Sequence, residues 1–249
     1  MGDKNYPARG IILIPARRAA TRLPDKPLAM IGDQPMIVHV WQRAMEAEVG
    51  PVVVACDDPE IAWVIERSGG IAVMTNKDHA SGSDRIFEAL NIADPKKQHD
   101  IIINLQGDLP TCEAHLPEQL LIPFDNPEVD IATLATEITD PAEVMRESVV
   151  KPVIAFDTER QGRALYFSRC AVPHGSGPYY HHIGIYGYRR SALERFIALP
   201  PGVLEQREKL EQLRALEAGM RIDIRLVDAM PLGVDTQEDL DKARELLCP

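Results

Sequence analysis

Arg17, Arg18, Arg22 and Lys26 are crowded into GIILIPARRAATRLPDKPL (residues 10–28), directly after the continuously apolar Ile11–Ile14. Four apolar residues in a row read as a strand covered on both faces, as in a parallel sheet. Pro15, Pro24 and Pro27 exclude a regular helix from the rest of the segment. A stiff cationic loop therefore leaves the end of a buried strand, where open α/β sheets bind ligands. The segment from Ile11 to Leu28 holds no glycine, so it is not a Gly-x-x-x-x-Gly-Lys-Ser/Thr phosphate loop. Guanidinium forks can grip phosphates without backbone amides. Two Arg, one Lys and a Mg²⁺ ion would match the roughly four negative charges of a nucleoside triphosphate. The plainer alternative is a solvated basic loop.

Two carboxylates are candidate partners for that loop. Asp108, in NLQGDLP (104–110), comes after another apolar run and a glycine turn. It suits Mg²⁺, which takes one or two carboxylates plus substrate phosphates. It equally suits a plain Gly-Asp turn. Asp235, in LGVDTQEDL (232–240), precedes a segment where Thr236 and Asp239 resemble a capping box. Alone it reads as part of a helix start; beside Asp108 it becomes a second carboxylate. The histidines obey no zinc spacing, and His181 and His182, adjacent on a strand, point to opposite faces. HGSGP (174–178) lacks the strand-to-helix context of a nucleophile elbow.

These residues need a frame. VVVAC (52–56), IAVM (71–74) and DIIINL (100–105) read as further buried strands. Between them, PMIVHVWQRAMEAE, DDPEIAWVIERSG and HASGSDRIFEALNIA carry helical spacing, with Ser81 or Ser83 as a cap for the last. Alternation of strand and helix predicts βαβ units and a mostly parallel sheet flanked by helices. The second half is less regular. Strands are expected at 129–138, 148–157, 182–189 and 221–227, with Pro152 forcing an edge or bulge. Helices are expected at 205–220 and 236–247. This reads as one domain over 1–249, with a smaller antiparallel sub-region in the second half.

Bulk composition narrows the function. The 249 residues are 45% hydrophobic with a formal net charge of −11, so a globular enzyme-sized core is expected and a nucleic-acid partner is not. Four scattered cysteines without Cys-x-x-Cys read as reduced thiols. MGDKNYPARG has no apolar h-region and no run approaches a membrane span, so a cytoplasmic protein is expected.

Taken in order, IPARRAATRLPDKPL, PMIVHV, HASGSDR, LQGDLP, ALYFSRCAVP, HHIGIYGYR, LEQLRALEAG and GVDTQEDL resemble the bacterial CTP:3-deoxy-D-manno-octulosonate cytidylyltransferases, or CMP-KDO synthetases. The resemblance runs nearly end to end. It implies a Rossmann-like nucleotide-diphospho-sugar transferase fold, a homodimer, Mg²⁺ dependence, and transfer of CMP from CTP to KDO for lipopolysaccharide synthesis. It implies a CTP-binding half over about 1–125 and a sugar-binding and dimerisation half over about 126–249. By position, Arg17, Arg22 and Lys26 match the triphosphate loop, and Ser81 and Arg85 match the nucleotide side. Gln106 matches a residue between nucleotide and sugar. Asp108 and Asp235 match the Mg²⁺ carboxylates, with Arg17 and Lys26 beside them as the catalytic set. Arg169, His182, Tyr186, Glu211 and Gln212 match the sugar pocket. The chain departs from the family at Asp25, where glycine is usual, at Leu109, often Glu, and at His181, often a cation; its 173–180 stretch is also shorter. Rival readings are the same chemistry on another acid sugar, such as a sialic acid, or a non-catalytic nucleotide-binding module.

Overall fold

A computed structural model describes residues 10–19 and 22–248. In chain order the elements begin β1 (Gly10–Ala16), β2 (Met30–Ile31), β3 (Gln34–Pro35), α1 (Met36–Glu46), β4 (Val52–Cys56), α2 (Pro59–Arg67), β5 (Ile71–Met74), α3 (Gly82–Ala93), β6 (Ile101–Asn104) and α4 (His115–Gln119). They continue β7 (Ile131–Glu137), α5 (Pro141–Val144), β8 (Lys151–Thr158), β9 (Gln161–Ser168), β10 (Tyr180–Arg189), α6 (Arg190–Ala198), α7 (Val203–Glu208), α8 (Gln212–Glu217), β11 (Ile222–Leu226) and α9 (Gln237–Leu247).

The chain divides into two compact units, 1–118 with 231–249, and 119–230. The closing segment thus goes with the first unit, not with the second half as its place in the chain suggests. In the first unit the strands run β5-β4-β1-β6, every neighbouring pair parallel. Their apolar runs are buried as expected: Ile11–Ile14, Val52–Cys56 and residues 101–103 are all inside. Only edge strand β5 departs, with Ile71 and Met74 exposed. Helices α1, α2 and α3 pack on this sheet. In the second unit the order is β10-β7-β11-β9-β8, with β7 and β11 parallel and the other pairs antiparallel. Pro152 lies in β8, the edge strand, whose register slips between Val153 and Ile154, because proline cannot supply a ladder N–H.

Three local expectations change. The helix expected at 205–220 is broken into α7 and α8 by Lys209, which is left-handed (φ 57, ψ 46) and sends the next N–H, of Leu210, back to Glu205 O. The break exposes the carbonyls of Glu208 and Lys209, and both accept from the Arg169 guanidinium, at 2.9 and 3.4 Å. A tertiary partner for the helix end outweighs continuous helix propensity. Strand β9 is an addition to the expected set, because its buried positions Gly162 and Ala164 are too small to register as alternation. Helix α6 is another: it begins directly at the end of β10, with no capping side chain to announce it.

Candidate functional site

The carboxyl ends of β1 and β6 open onto a cleft of ≈ 400 Å³ in the first unit, lined by Arg17, Arg22, Lys26, Ser81, Arg85, Gln106, Asp108 and Asp235. Every nucleotide-side and carboxylate residue expected from the sequence is therefore on one surface. Backbone geometry explains why. Gly107 brings its turn so close to β1 that a Cβ would lie 2.6 Å from the Pro15 carbonyl oxygen, which only glycine allows. Val234 N–H donates to Asp108 O at 2.9 Å, tying the approach to α9 onto the same turn. Thr236 and Asp239 complete the capping box of α9, so Asp235 sits immediately before the cap. Beneath, Leu23, Ile31, Met36, Val234, Leu240 and Ala243 form one buried cluster that anchors the cationic loop and α9 together.

The central contact is a cation held by two acids. Lys26 Nζ donates to Asp108 Oδ2 at 2.8 Å and to Asp235 Oδ1 at 3.0 Å. Burial alone would lower the Lys26 ammonium, but Asp108 and then Asp235 hold it above the ordinary lysine value. Arg22 reaches the second oxygen of Asp235 at 3.1 Å. Arg18 turns away and binds Asp25, Asp58 and Glu60 at 2.8, 3.1 and 2.8 Å. The departure at Asp25 is thereby explained: the residue takes a left-handed backbone (φ 53), as glycine would, and its carboxylate faces Arg18. Among the described residues no group of three or more His, Cys, Asp or Glu side chains could hold a metal unaided. Two carboxylates that converge on one cation, with phosphates and water completing the shell, fit Mg²⁺ and not a closed protein cage.

The remaining wall is preorganised. Arg85, 3% exposed, donates to Thr75 Oγ1 at 2.7 Å and to Asp57 Oδ2 at 3.2 Å, so its charge is paired beneath the cleft. Ser81, and not Ser83, caps α3, its hydroxyl accepting from Asp84 N–H at 3.2 Å. His79 also lines the cleft and bonds Glu88, whose carboxyl is lowered first by the Asn76 N–H and then by His79. His79 heads the HASGSDR stretch, but no role for it is expected from the sequence.

The five residues matched to the sugar pocket all lie in the second unit. Arg169 places its guanidinium on the carbonyls of Glu147 and Glu208, both at 2.9 Å, while its backbone N–H donates to the Glu208 carboxylate at 3.1 Å. His182 and Tyr186 of β10 hold their rings 5.5 Å apart. Burial pushes the His182 imidazole down to about 3, with His181 adding to the shift. It is neutral at ordinary pH. Burial, then Tyr188 and Glu211, raise the Tyr186 phenol well above its usual value. Gln212 is buried at the start of α8. His181 lies 3.6 Å from Glu143, and burial lowers its pKa, so it does not replace a permanent cation. Leu109 is buried and apolar, with no polar role left to it.

The sequence profile of the Cytidylyltransferase family matches residues 11–222. A 3-deoxy-manno-octulosonate cytidylyltransferase of Methylobacterium radiotolerans is 59% identical over 95% of this chain and 96% of its own. One of the same name from Paramagnetospirillum magneticum is 58% identical over 95% and 97%. A solved CMP:2-keto-3-deoxy-manno-octonic acid synthetase complexed with CTP superposes with TM-score 0.88 at 42% identity, covering 96% of this chain and 98% of that one. The chain belongs to the cytidylyltransferase family, among the 3-deoxy-manno-octulosonate cytidylyltransferases.

Proposed function

We propose that the protein is a nucleotidyltransferase that transfers CMP from CTP to KDO, releasing CMP-KDO and pyrophosphate. The observation that carries this reading is the convergence of Asp108 and Asp235, distant in sequence, on the Lys26 ammonium inside a cationic cleft. A pure binding module has no need of the second acid.

The anomeric hydroxyl of KDO attacks the α-phosphorus of CTP. A new P–O bond forms, the bond to the bridging oxygen breaks, pyrophosphate leaves, and the hydroxyl proton passes to solvent. Positioning and charge stabilisation dominate such a transfer. Arg17, Arg22 and Lys26 neutralise the departing pyrophosphate. Ser81, Arg85 and Gln106 shape the nucleotide side. Arg169 takes the sugar carboxylate, while His182, Tyr186, Glu211 and Gln212 serve its hydroxyls. Asp108 and Asp235 would hold Mg²⁺, which when bound supplies charge neutralisation at the α-phosphate and acidifies the attacking hydroxyl. The same reading makes the enzyme a cytoplasmic homodimer feeding lipopolysaccharide synthesis; no helix among the described residues is long and apolar enough to cross a membrane.

The test is pyrophosphate release with CTP, Mg²⁺ and KDO, using ATP, UTP and sialic acid as controls. Turnover only with CTP and KDO is expected. Equal or faster turnover with sialic acid would transfer the assignment to another acid sugar, and none with any acid sugar would defeat it.

A further inference from the structure

Strand β10 carries an irregularity at the sugar-side residues. Its pairing with β7 jumps from Ile183 opposite Leu134 to Tyr186 opposite Thr133, leaving Gly184 and Ile185 with no residue opposite. A bulge of this kind unpairs ladder carbonyls. The buried Thr133 hydroxyl collects them, lying 3.2 Å from Ile183 O and 2.9 Å from Ile185 O. The same oxygen is 3.0 Å from His182 Nε2.

Proton counting assigns a direction to that last bond. A threonine hydroxyl has one hydrogen and accepts through its lone pairs. Spent on Nε2, it would leave two carbonyl oxygens against the hydroxyl oxygen with no proton between them, so the hydrogen is assigned to Ile183 O or Ile185 O. The bond to His182 then needs its hydrogen from the ring, so Nε2 carries the N–H. In a neutral imidazole the other nitrogen, Nδ1, is then a lone-pair acceptor. Phe167 packs edge-on at 5.1 Å and Tyr186 at 5.5 Å, which hold the ring in this orientation. The titratable or charged groups near it are His181 and the phenols of Tyr186 and Tyr188, with Glu211 beyond Tyr186.

We propose that Thr133 is a positioning residue for the sugar site: its hydroxyl locks His182 as the Nε2–H tautomer, so that Nδ1 accepts a hydrogen bond from a sugar hydroxyl. A lone pair there repels a carboxylate, so the sugar is oriented with its acid end elsewhere and a hydroxyl toward His182. This rests on the reading of His182 as a sugar contact. A purely structural role, fastening the bulge, would leave the His182 tautomer the same when the hydroxyl is removed.

The experiment compares wild type, Thr133→Ser and Thr133→Val, with ¹⁵N-labelled histidine and steady-state kinetics on the intact protein. A His182→Gln variant assigns the resonances. In wild type and Thr133→Ser, His182 should show a pyrrole-like Nε2 and a pyridine-like Nδ1. Thr133→Val should mix the tautomers and raise the KM for KDO about tenfold, the scale of one lost hydrogen bond, with the KM for CTP unchanged. A protonated Nδ1 in wild type would overturn the proposal, and so would a Thr133→Val enzyme whose two KM values move together or not at all. If Thr133→Val fails to fold, the wild-type and Thr133→Ser spectra still decide the tautomer. A correct tautomer in a protein that uses no acid sugar would overturn the functional reading and the sugar half of this proposal, while sustaining the lock itself.

Discussion

Two carboxylates this close repel unless a cation lies between them. Lys26 supplies that cation, its ammonium bonded to both carboxylates. Asp108→Asn and Asp235→Asn should each lower turnover by a factor on the order of 10²–10³ or more, the scale for removing one electrostatic group from such a site. Melting curves should stay near wild type, because both side chains are partly exposed; near-normal Mg²⁺-dependent pyrophosphate release from either variant would remove the metal assignment. Arg169→Ala should raise the KM for KDO far more than that for CTP, and the opposite split would mean the two pockets are exchanged. Legibility differs residue by residue. Arg17, Arg22 and Lys26 stand out as cations against an acidic background. Asp235 shows itself only as part of a helix start, because Thr236 and Asp239 do the capping and the Asp235 carboxylate meets its partners through long-range contacts no local pattern encodes. No role for His79 is expected from the sequence.

Elements position these groups through one small apolar cluster. Leu240 of α9 is buried in the same cluster as Leu23 of the cationic loop. Leu240→Ala should destabilise by about 2–5 kcal/mol. It should also raise the KM for CTP, since loosening α9 loosens the loop; denaturant titration with parallel kinetics checks both, and a stability loss with unchanged KM would show that the cluster is passive. Strands are the most legible elements, because a parallel sheet covered on both faces demands unbroken apolar runs, and 11–14, 52–56 and 101–103 supply them. The interruption at Lys209 escapes a reading by periodicity, because it is set by Arg169, more than thirty residues upstream, capturing the freed carbonyls. Local spacing cannot report a partner that far away.

For the molecule as a whole, His182 links stability to acidity. Its folded pKa, about 3, lies below its ordinary 6.5, so between those values the unfolded chain binds the extra proton. Stability is therefore intact above about pH 6.5 and falls as the solution is acidified, by up to about 1.4 kcal/mol per pH unit from this group. Denaturant curves between about pH 7 and 5 on wild type and His182→Gln should differ in slope, the variant being flatter; identical slopes would show that His182 is protonated in the fold. The α/β class and the strand–helix alternation are readable from the chain, whereas the membership of the two units is not. The first unit is discontinuous, closed only by 231–249. Val234, Asp235, Leu240 and Ala243 all come from that returning segment. During translation the nucleotide cleft thus stays half-built until residues 231–249 have been made, and a premature stop before residue 231 leaves Asp108 without its opposite number, a product unable to turn over CTP however well its earlier strands have folded.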